Sequence, residues 1–137
     1  LLIGRVGAVT EPEWDAVLPF EKEYVDNLVK AKSALAGIGL LTVSVDKDLN
    51  GDDMCVFTFG DEQGHNNKIT YQMYGKIKPE KAEIPFNSDI FKNILQANKD
   101  LESGTLYLSY QGLMKLEFKS IDTTSEYYMV RKEESAF

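Results

Sequence analysis

Two stretches of the chain carry the same pattern of hydrophobic and polar positions, and both predict an amphipathic helix. Residues 20–35 (FEKEYVDNLVKAKSAL) and 86–101 (FNSDIFKNILQANKDL) each begin with a phenylalanine. In both, apolar side chains recur at helical spacing along one face, with polar side chains opposite. Lys32 lies at the edge of the first apolar stripe, where its stem can cover apolar surface. The apolar faces consist of Tyr24, Val25, Leu28, Ala31 and Leu35 in the first helix and Ile90, Phe91, Ile94, Leu95 and Leu101 in the second.

Each helix pattern is followed by segments that alternate as β-strands do. These segments are 41–45, 54–59 and 68–74 after the first helix, and 105–110, 114–119 and 127–130 after the second. A helix followed by three strands therefore occurs twice, and such an internal repeat predicts an α+β domain. We expect both helices on one face of antiparallel sheet.

The same pattern sets the expected domain bounds. Residues 1–16 contain glycine and proline and predict a linker or the remnant of a preceding domain. Residues 17–137 predict a single domain with a short C-terminal tail, and its two repeats cover about 17–75 and about 82–132. The first residue is Leu1, so we expect that the sequence begins within a longer protein.

Composition fits one well-cored domain, because 43% of the 137 residues are hydrophobic. No apolar run reaches the roughly 20 residues that span a bilayer, so no membrane partner is predicted. Cys55 is the single cysteine, which excludes an intrachain disulfide and favours a reducing compartment such as the cytoplasm. Cys55 alternates within a predicted strand and is expected in the core, and Trp14 is expected to be a buried or docking anchor.

The formal net charge of −7 argues against a compact basic DNA reader. The acid is unevenly distributed, because residues 46–62 hold six acidic side chains against Lys47 alone. The stretches 20–35 and 86–101 are each formally neutral. Lysines on the two helices are explained either as ordinary solvated faces or as a surface that lies loosely against phosphates.

One motif suggests a metal. Residues 46–51 (DKDLNG) match the first half of a calcium loop, but Phe57 stands where the bidentate acid belongs. The segment also joins two strands, so an acidic hairpin that turns at Asn50-Gly51 is the better interpretation. A calcium-binding or adhesive β-rich module stays an alternative, and it relies on the loop from Asp46 to Asp53.

No arrangement of residues predicts catalysis. His65 is the sole histidine and lies in a polar loop, so no typical zinc site is expected. The sequence contains no nucleophile elbow, phosphate-binding loop or dinucleotide-binding fingerprint. We therefore predict neither an enzyme nor a cofactor, with a non-catalytic domain of a larger enzyme as a second alternative.

With these elements in place, the chain resembles one domain of a DNA polymerase sliding clamp. Residues 84–87 (IPFN) and the helix at 90–97 are similar to the strand and helix that open a clamp domain. Residues 105–109 and 116–119 resemble the next two strands. Residues 126–132 (EYYMVRK) resemble the closing Y-Y-L-A-P-K strand of eukaryotic and archaeal clamps, with Val130-Arg131 in place of Ala-Pro. The spacing is most similar to the C-terminal domain of a T-even-type phage clamp.

The resemblance implies a function without chemistry: a ring that encircles duplex DNA weakly, without sequence preference, and tethers the replicative polymerase. It implies two such domains per subunit, a homotrimeric ring, a clamp loader, and the cytoplasm of an infected bacterium if the protein is phage-encoded. The helices of such a ring line its hole. The residues expected to face DNA are Lys22, Lys30, Lys92, Gln96 and Lys99.

A second surface is also implied by the resemblance. In the family, a C-terminal peptide of the polymerase docks in an apolar groove on the outer face. By their match to the closing strand, Tyr128 and Val130 are expected to contribute to this groove. The alternative is that both residues are ordinary core or sheet surface. Val130-Arg131 predicts that the groove beside this strand differs in shape from that of cellular clamps.

Overall fold

The computed structural model describes residues 12–34, 39–60 and 69–132. Within these ranges it contains two helices and nine strands, which confirms the predicted α+β class. In chain order the elements are β1 (Ala16–Phe20), α1 (Lys22–Ala34), β2 (Leu40–Lys47), β3 (Asp53–Phe59), β4 (Ile69–Met73), β5 (Lys76–Ile77), β6 (Glu83–Asn87), α2 (Ser88–Ala97), β7 (Ser103–Ser109), β8 (Leu113–Lys119) and β9 (Thr124–Val130).

The strands form two antiparallel sheets, and each sheet takes one strand from the other repeat. The four-stranded sheet has the order β4-β3-β2-β6, so the strands after α1 are joined by β6, which precedes α2. The five-stranded sheet has the order β5-β1-β7-β8-β9, so the strands after α2 are joined by β1, which precedes α1. Each repeat is therefore a strand, a helix and three strands, and the two repeats exchange their first strands.

This arrangement corrects the prediction of six strands after the helices. The sequence pattern predicted no strand over residues 16–20 or 76–77, and only the resemblance indicated β6. Both exchanged strands contain a proline, which lowers the strand signal because proline cannot donate to a ladder. Pro19 lies opposite Thr105 and Pro85 opposite Thr42, so the two strands occupy equivalent places in the two sheets.

The helices begin later than predicted, because the phenylalanines that precede them belong to the exchanged strands. Phe20 ends β1 opposite Gly104, and Phe86 pairs with Leu41. The side-chain oxygen of Asn87 accepts a hydrogen bond of 3.0 Å from the backbone N–H of Ile90, which fixes the start of α2. Predicted as residues 86–101, this helix ends at Ala97.

One hydrophobic core lies between the elements and draws on both sheets and both helices. The ring of Phe91 from α2 packs against Phe57 and Phe59 of β3, with centroid distances of 6.2 and 6.4 Å. Cys55 is fully buried, as predicted. A side chain at Gly104 would place its Cβ 2.5 Å from the ring of Phe20, so the strand exchange requires a glycine there.

Some predictions concern residues outside the described ranges. They are Leu35 in the first apolar face, the loop that contains His65, the segment before Pro12, and the tail that follows Lys132.

Candidate nucleic-acid and peptide interfaces

The helix pair presents most of its lysines to solvent. In α1, Val25 and Leu28 are buried, and Lys22 and Lys30 are exposed because they lie on the opposite side of the helix. The same periodicity acts in α2, where the buried side chains are Phe91, Ile94 and Leu95. Lys92 is partly exposed, Gln96 is exposed, and Lys99 is exposed in the turn that follows the helix. All five residues expected to face DNA thus have solvent access.

Acidic side chains lie among these lysines. In α1, Glu23 is exposed and Asp26 is partly exposed. Asp89 in α2 and Asp100 after it are also exposed. A surface of mixed sign attracts phosphates only weakly, and salt screens what attraction there is. The helix pair can therefore contact a polyanion without holding it in one place.

Lys32 differs from the other lysines. Its side chain is 5% exposed, and its Nζ atom lies 3.0 Å from Oδ1 of Asp89, whose side chain is 66% exposed. Lys32 is in the last turn of α1 and Asp89 in the first turn of α2, so this ion pair joins the two helices. The predicted position of Lys32 at the edge of the apolar stripe is confirmed, but the sequence pattern did not identify its partner.

The outer face of the five-stranded sheet carries an aromatic row centred on Lys115. Lys115 lies opposite Tyr107 of β7 on one side and Tyr128 of β9 on the other. Its Nζ atom is 4.9 Å from the ring centroid of Tyr107 and 6.0 Å from that of Tyr128. Trp14 extends the row, with its ring centroid 5.7 Å from that of Tyr107. Trp14 is thus partly buried against Tyr107.

The two residues expected in the peptide groove differ in exposure. Val130 is 47% exposed, whereas Tyr128 is fully buried. Met129 between them is part of the core, so Tyr128 and Val130 lie on the other side of β9, as strand alternation requires. In this conformation Val130 is the residue that a partner can reach directly.

The Val130-Arg131 dipeptide has a structural consequence. The backbone N–H of Arg131 donates a hydrogen bond of 2.7 Å to the carbonyl oxygen of Gly112. A proline at this position has no N–H and could not make that bond. The stem of Arg131 also lies over Gly112, where an added Cβ would meet it at 2.5 Å. The chain therefore stays paired one residue beyond β9.

The acidic hairpin between β2 and β3 uses its central carboxylate to hold the turn. Oδ1 of Asp48 accepts hydrogen bonds of 2.9 Å from the backbone N–H groups of Asn50 and Asp52, and Oδ2 accepts one of 3.1 Å from the hydroxyl of Tyr74. The bond from Asp52 is the largest cause that lowers the pKa of Asp48 below its ordinary value of 3.8. The carboxylate that would lead a calcium loop is thus occupied by protein donors.

Two other acids of this loop also have partners within the loop. Asp53 accepts a bond of 2.9 Å from Nζ of Lys47, and Oδ1 of Asp46 accepts one of 2.8 Å from the backbone N–H of Lys47. Across the described residues, no group of three or more histidine, cysteine, aspartate or glutamate side chains is placed to hold a metal ion. The geometry favours the hairpin interpretation that the sequence indicated.

Sequence reasoning missed the most distinctive features of both surfaces. Lys115 was assigned to a strand without a role, although its alternation with Met114 and Leu116 places it on the outer face. The cross-strand register that brings it between two tyrosines depends on pairings separated in sequence. Lys32 and Asp89 are likewise distant along the chain.

Neither described helix is both long enough and apolar enough to cross a membrane.

No protein-family model matches the sequence, and no curated protein matches it. Solved structures do resemble it. Proliferating Cellular Nuclear Antigen from Entamoeba histolytica matches 91% of this chain with 49% of its own, at a TM-score of 0.69 and 16% identity. The Helicobacter pylori beta clamp, solved bound to a DNA ligase peptide, matches 96% of this chain with 34% of its own, at a TM-score of 0.62 and 13% identity.

The beta subunit from DNA polymerase of Streptococcus pyogenes also matches 96% of this chain with 34% of its own, at a TM-score of 0.58 and 12% identity. The chain thus spans about half the length of the first of these proteins and about a third of the other two. At such identities the likeness concerns architecture. The chain has the α+β fold of a sliding-clamp domain.

Proposed function

We propose that this chain is a domain of a DNA polymerase sliding clamp, a processivity factor that performs no chemistry itself. The observation that carries the proposal is the helix pair. One helix from each repeat lies against the other, with lysines on the exposed side, in a fold shared with clamps. Lys22, Lys30, Lys92, Gln96 and Lys99 are proposed to face duplex DNA.

The mixed charge of this surface suits a sliding contact. Contacts to phosphates position a protein on DNA without reading its sequence, and weak contacts can be exchanged as the protein moves. A ring keeps hold of DNA by enclosing it, so affinity is not needed. A polymerase attached to such a ring stays at high effective concentration near its template.

The resemblance in sequence extends the proposal to a full-length protein. It would contain a further domain of the same fold, assemble as a homotrimer and be opened by a clamp loader. The T-even-type spacing favours a phage protein that acts in the cytoplasm of its bacterial host.

The outer face is proposed to receive the polymerase. Val130 would contact an apolar anchor in the C-terminal peptide of the polymerase, with Tyr128 supporting the groove beside it. Val130 is exposed and lies on the same side of β9 as Tyr128, which supports this assignment.

The DNA contact can be tested by titrating isotope-labelled protein with a short duplex at low salt and following backbone amide shifts. We expect small shifts confined to α1, α2 and the turn after α2, with weak affinity that falls as salt rises. The variant Lys22→Glu, Lys30→Glu, Lys92→Glu and Lys99→Glu should lose these shifts.

A matched control reverses four exposed lysines that lie on or between strands of the sheets: Lys47, Lys76, Lys78 and Lys81. It changes the net charge by the same amount, so any difference between the two variants reports position and not total charge. Shifts confined to the sheets, or tight binding that resists salt, would contradict the proposal.

The peptide contact needs a separate experiment. The C-terminal peptide of the replicative polymerase from the same source would be titrated into wild type and Val130→Asp, after circular dichroism has shown that the variant is folded. We expect the charged variant to lose at least tenfold in affinity, because a buried apolar anchor often contributes about 2 kcal/mol. Gln72→Asp, on the outer face of the other sheet, is the control. Unchanged affinity in folded Val130→Asp would remove this groove and leave the DNA proposal standing.

A further inference from the structure

Lys32 belongs to the helix pair that carries the proposed DNA surface, but its buried side chain is not available to touch DNA. Its side chain is 5% exposed, whereas Lys22, Lys30 and Lys99 are exposed. Its ammonium lies 3.0 Å from the carboxylate of Asp89. A lysine that is buried in this way acts on its partner and not on a ligand in solvent.

The partner, Asp89, is an acid at the start of α2, close to a lysine that is proposed to face DNA. Asp89 lies in the first turn of α2, where the positive end of the helix dipole stabilises an acid. It also precedes Lys92 by three residues, and residues at that spacing are neighbours on a helix surface. Because the Asp89 side chain is 66% exposed, its negative charge would otherwise face the same phosphates as Lys92.

We infer that Lys32 is a positioning residue of the DNA-facing surface: it neutralises Asp89 and holds that carboxylate against α1, which leaves Lys92 free to attract phosphate. This inference rests on the proposed function and adds to it a role for a residue that makes no DNA contact. Lys32 also fixes the end of α1 to the start of α2, so the two helices present their lysines as one surface.

The size of the effect follows from Coulomb's law. A unit charge about 7 Å from a phosphate, in a medium close to water, changes affinity about threefold. Removing the Lys32 charge alone should therefore weaken binding about threefold, and removing both charges of the pair should restore it.

The fold should survive the test. Methionine has a stem similar to that of lysine and fits a buried site, and replacing a buried ammonium with an apolar group removes its desolvation cost. Asp89, once unpaired, remains solvated because most of its side chain is exposed. Lys32→Arg keeps the charge and serves as the conservative variant.

The experiment is the amide-shift titration with a short duplex, on four proteins at several salt concentrations. Wild type and Lys32→Arg should bind alike. Lys32→Met should bind about threefold more weakly, and Lys32→Met with Asp89→Asn should bind like wild type. The slope of log affinity against log salt should be the same in all four, because the number of phosphate contacts does not change.

Each other outcome overturns the inference in an identifiable way. If the double variant stays weak and its salt slope falls by about one contact, Lys32 touches phosphate itself. If Lys32→Met binds like wild type, the pair is structural only. If wild type shows no shifts on the helices, the proposed DNA surface fails and this inference fails with it. If Lys32→Met does not fold, Lys32→Gln carries the test, because its amide can still donate a hydrogen bond to Asp89 without carrying a charge. It should weaken binding about threefold, and unchanged or tighter binding would overturn the inference.

Discussion

The two repeats build equivalent strands, yet their outer faces are chemically different. The cross-strand row on the five-stranded sheet consists of Tyr107, Lys115 and Tyr128. The row at the equivalent register on the four-stranded sheet consists of Ser44, Val56 and Gln72. The equivalence follows from the exchanged strands, since Thr105 opposite Pro19 and Thr42 opposite Pro85 each lie two residues before the row begins.

The comparison distinguishes positions that the fold requires to be apolar from positions whose chemistry the fold does not constrain. Positions inside the core are apolar in both repeats, because both must bury a helix and a sheet face. The outer faces are under no such demand, and one of them is polar, as an ordinary solvated sheet face is. The row on the other face is different, because Lys115 and Tyr128 in it are buried, and Val130 beside it is the exposed apolar residue.

The largest expected effect is a difference in stability between substitutions at equivalent positions of the two cross-strand rows. Tyr128→Ala should lower the free energy of unfolding by about 4 kcal/mol, since truncating a buried aromatic residue loses its packing and leaves a cavity. The equivalent Gln72→Ala should stay within about 0.5 kcal/mol, because Gln72 is exposed. Urea denaturation of both variants measures the difference. Similar losses in the two would mean that the rows are energetically alike.

The next prediction concerns a substitution that gives the second repeat the residue found at the equivalent position of the first. Phe86 lies opposite Leu41, but the equivalent Phe20 lies opposite Gly104. Gly104→Leu should cost about 3 kcal/mol, because the ring of Phe20 already occupies the space a side chain would enter. Chemical denaturation checks this value. Combining Gly104→Leu with Phe20→Ala should recover part of the loss, and no recovery would show that the clash lies elsewhere.

A third prediction concerns an ionisable group present in one repeat only. Burial raises the pKa of Cys55 from 9.0 to about 12, whereas the equivalent position in β8 is Met114. The neutral thiol is favoured in the folded state, so its contribution is complete below about pH 9 and is lost between about pH 9 and 12. The loss should be about 1.4 kcal/mol per pH unit in that window.

Urea denaturation across this pH window measures the loss, with Cys55→Val as the comparison. The unfolding free energy of this variant should fall less steeply with rising pH than that of wild type, by about 1.4 kcal/mol per pH unit. Tyr110→Phe is the second comparison, because burial also raises the pKa of Tyr110. Equal alkaline sensitivity in Cys55→Val and wild type would contradict the assignment to the thiol.

The smallest expected effect concerns the acidic hairpin. Calcium should leave the melting temperature unchanged, because the oxygens of Asp48 already accept bonds from Asn50, Asp52 and Tyr74. The lowered pKa of Asp48 adds stability that is present above its ordinary pKa and is lost as acid protonates it. Asp48→Asn should therefore flatten the acid side of the stability profile. A melting temperature that rises with calcium would restore the metal-binding alternative.

Periodicity in the sequence determined the helices, six of the strands and the double repeat, because each of these depends on neighbours a few residues away. The same periodicity correctly placed Lys22 and Lys30 on exposed surface and Cys55 in the core. What periodicity could not supply is which strands pair. The proline-containing strands β1 and β6 carry weak local signals and are fixed only by partners in the other repeat.

The candidate sites divide in the same way. Exposure of Val130 and burial of Tyr128 on one side of β9 could not be read from alternation, which places both on a common face and says nothing about what covers it. Lys32 meets Asp89, and Lys115 meets two tyrosines, across distances in sequence that only the folded chain closes. The sequence alone determined the elements and their faces, because both follow from short-range periodicity. Tertiary structure decided which strands pair and which charged side chains meet, because both depend on contacts between segments that are distant in the sequence.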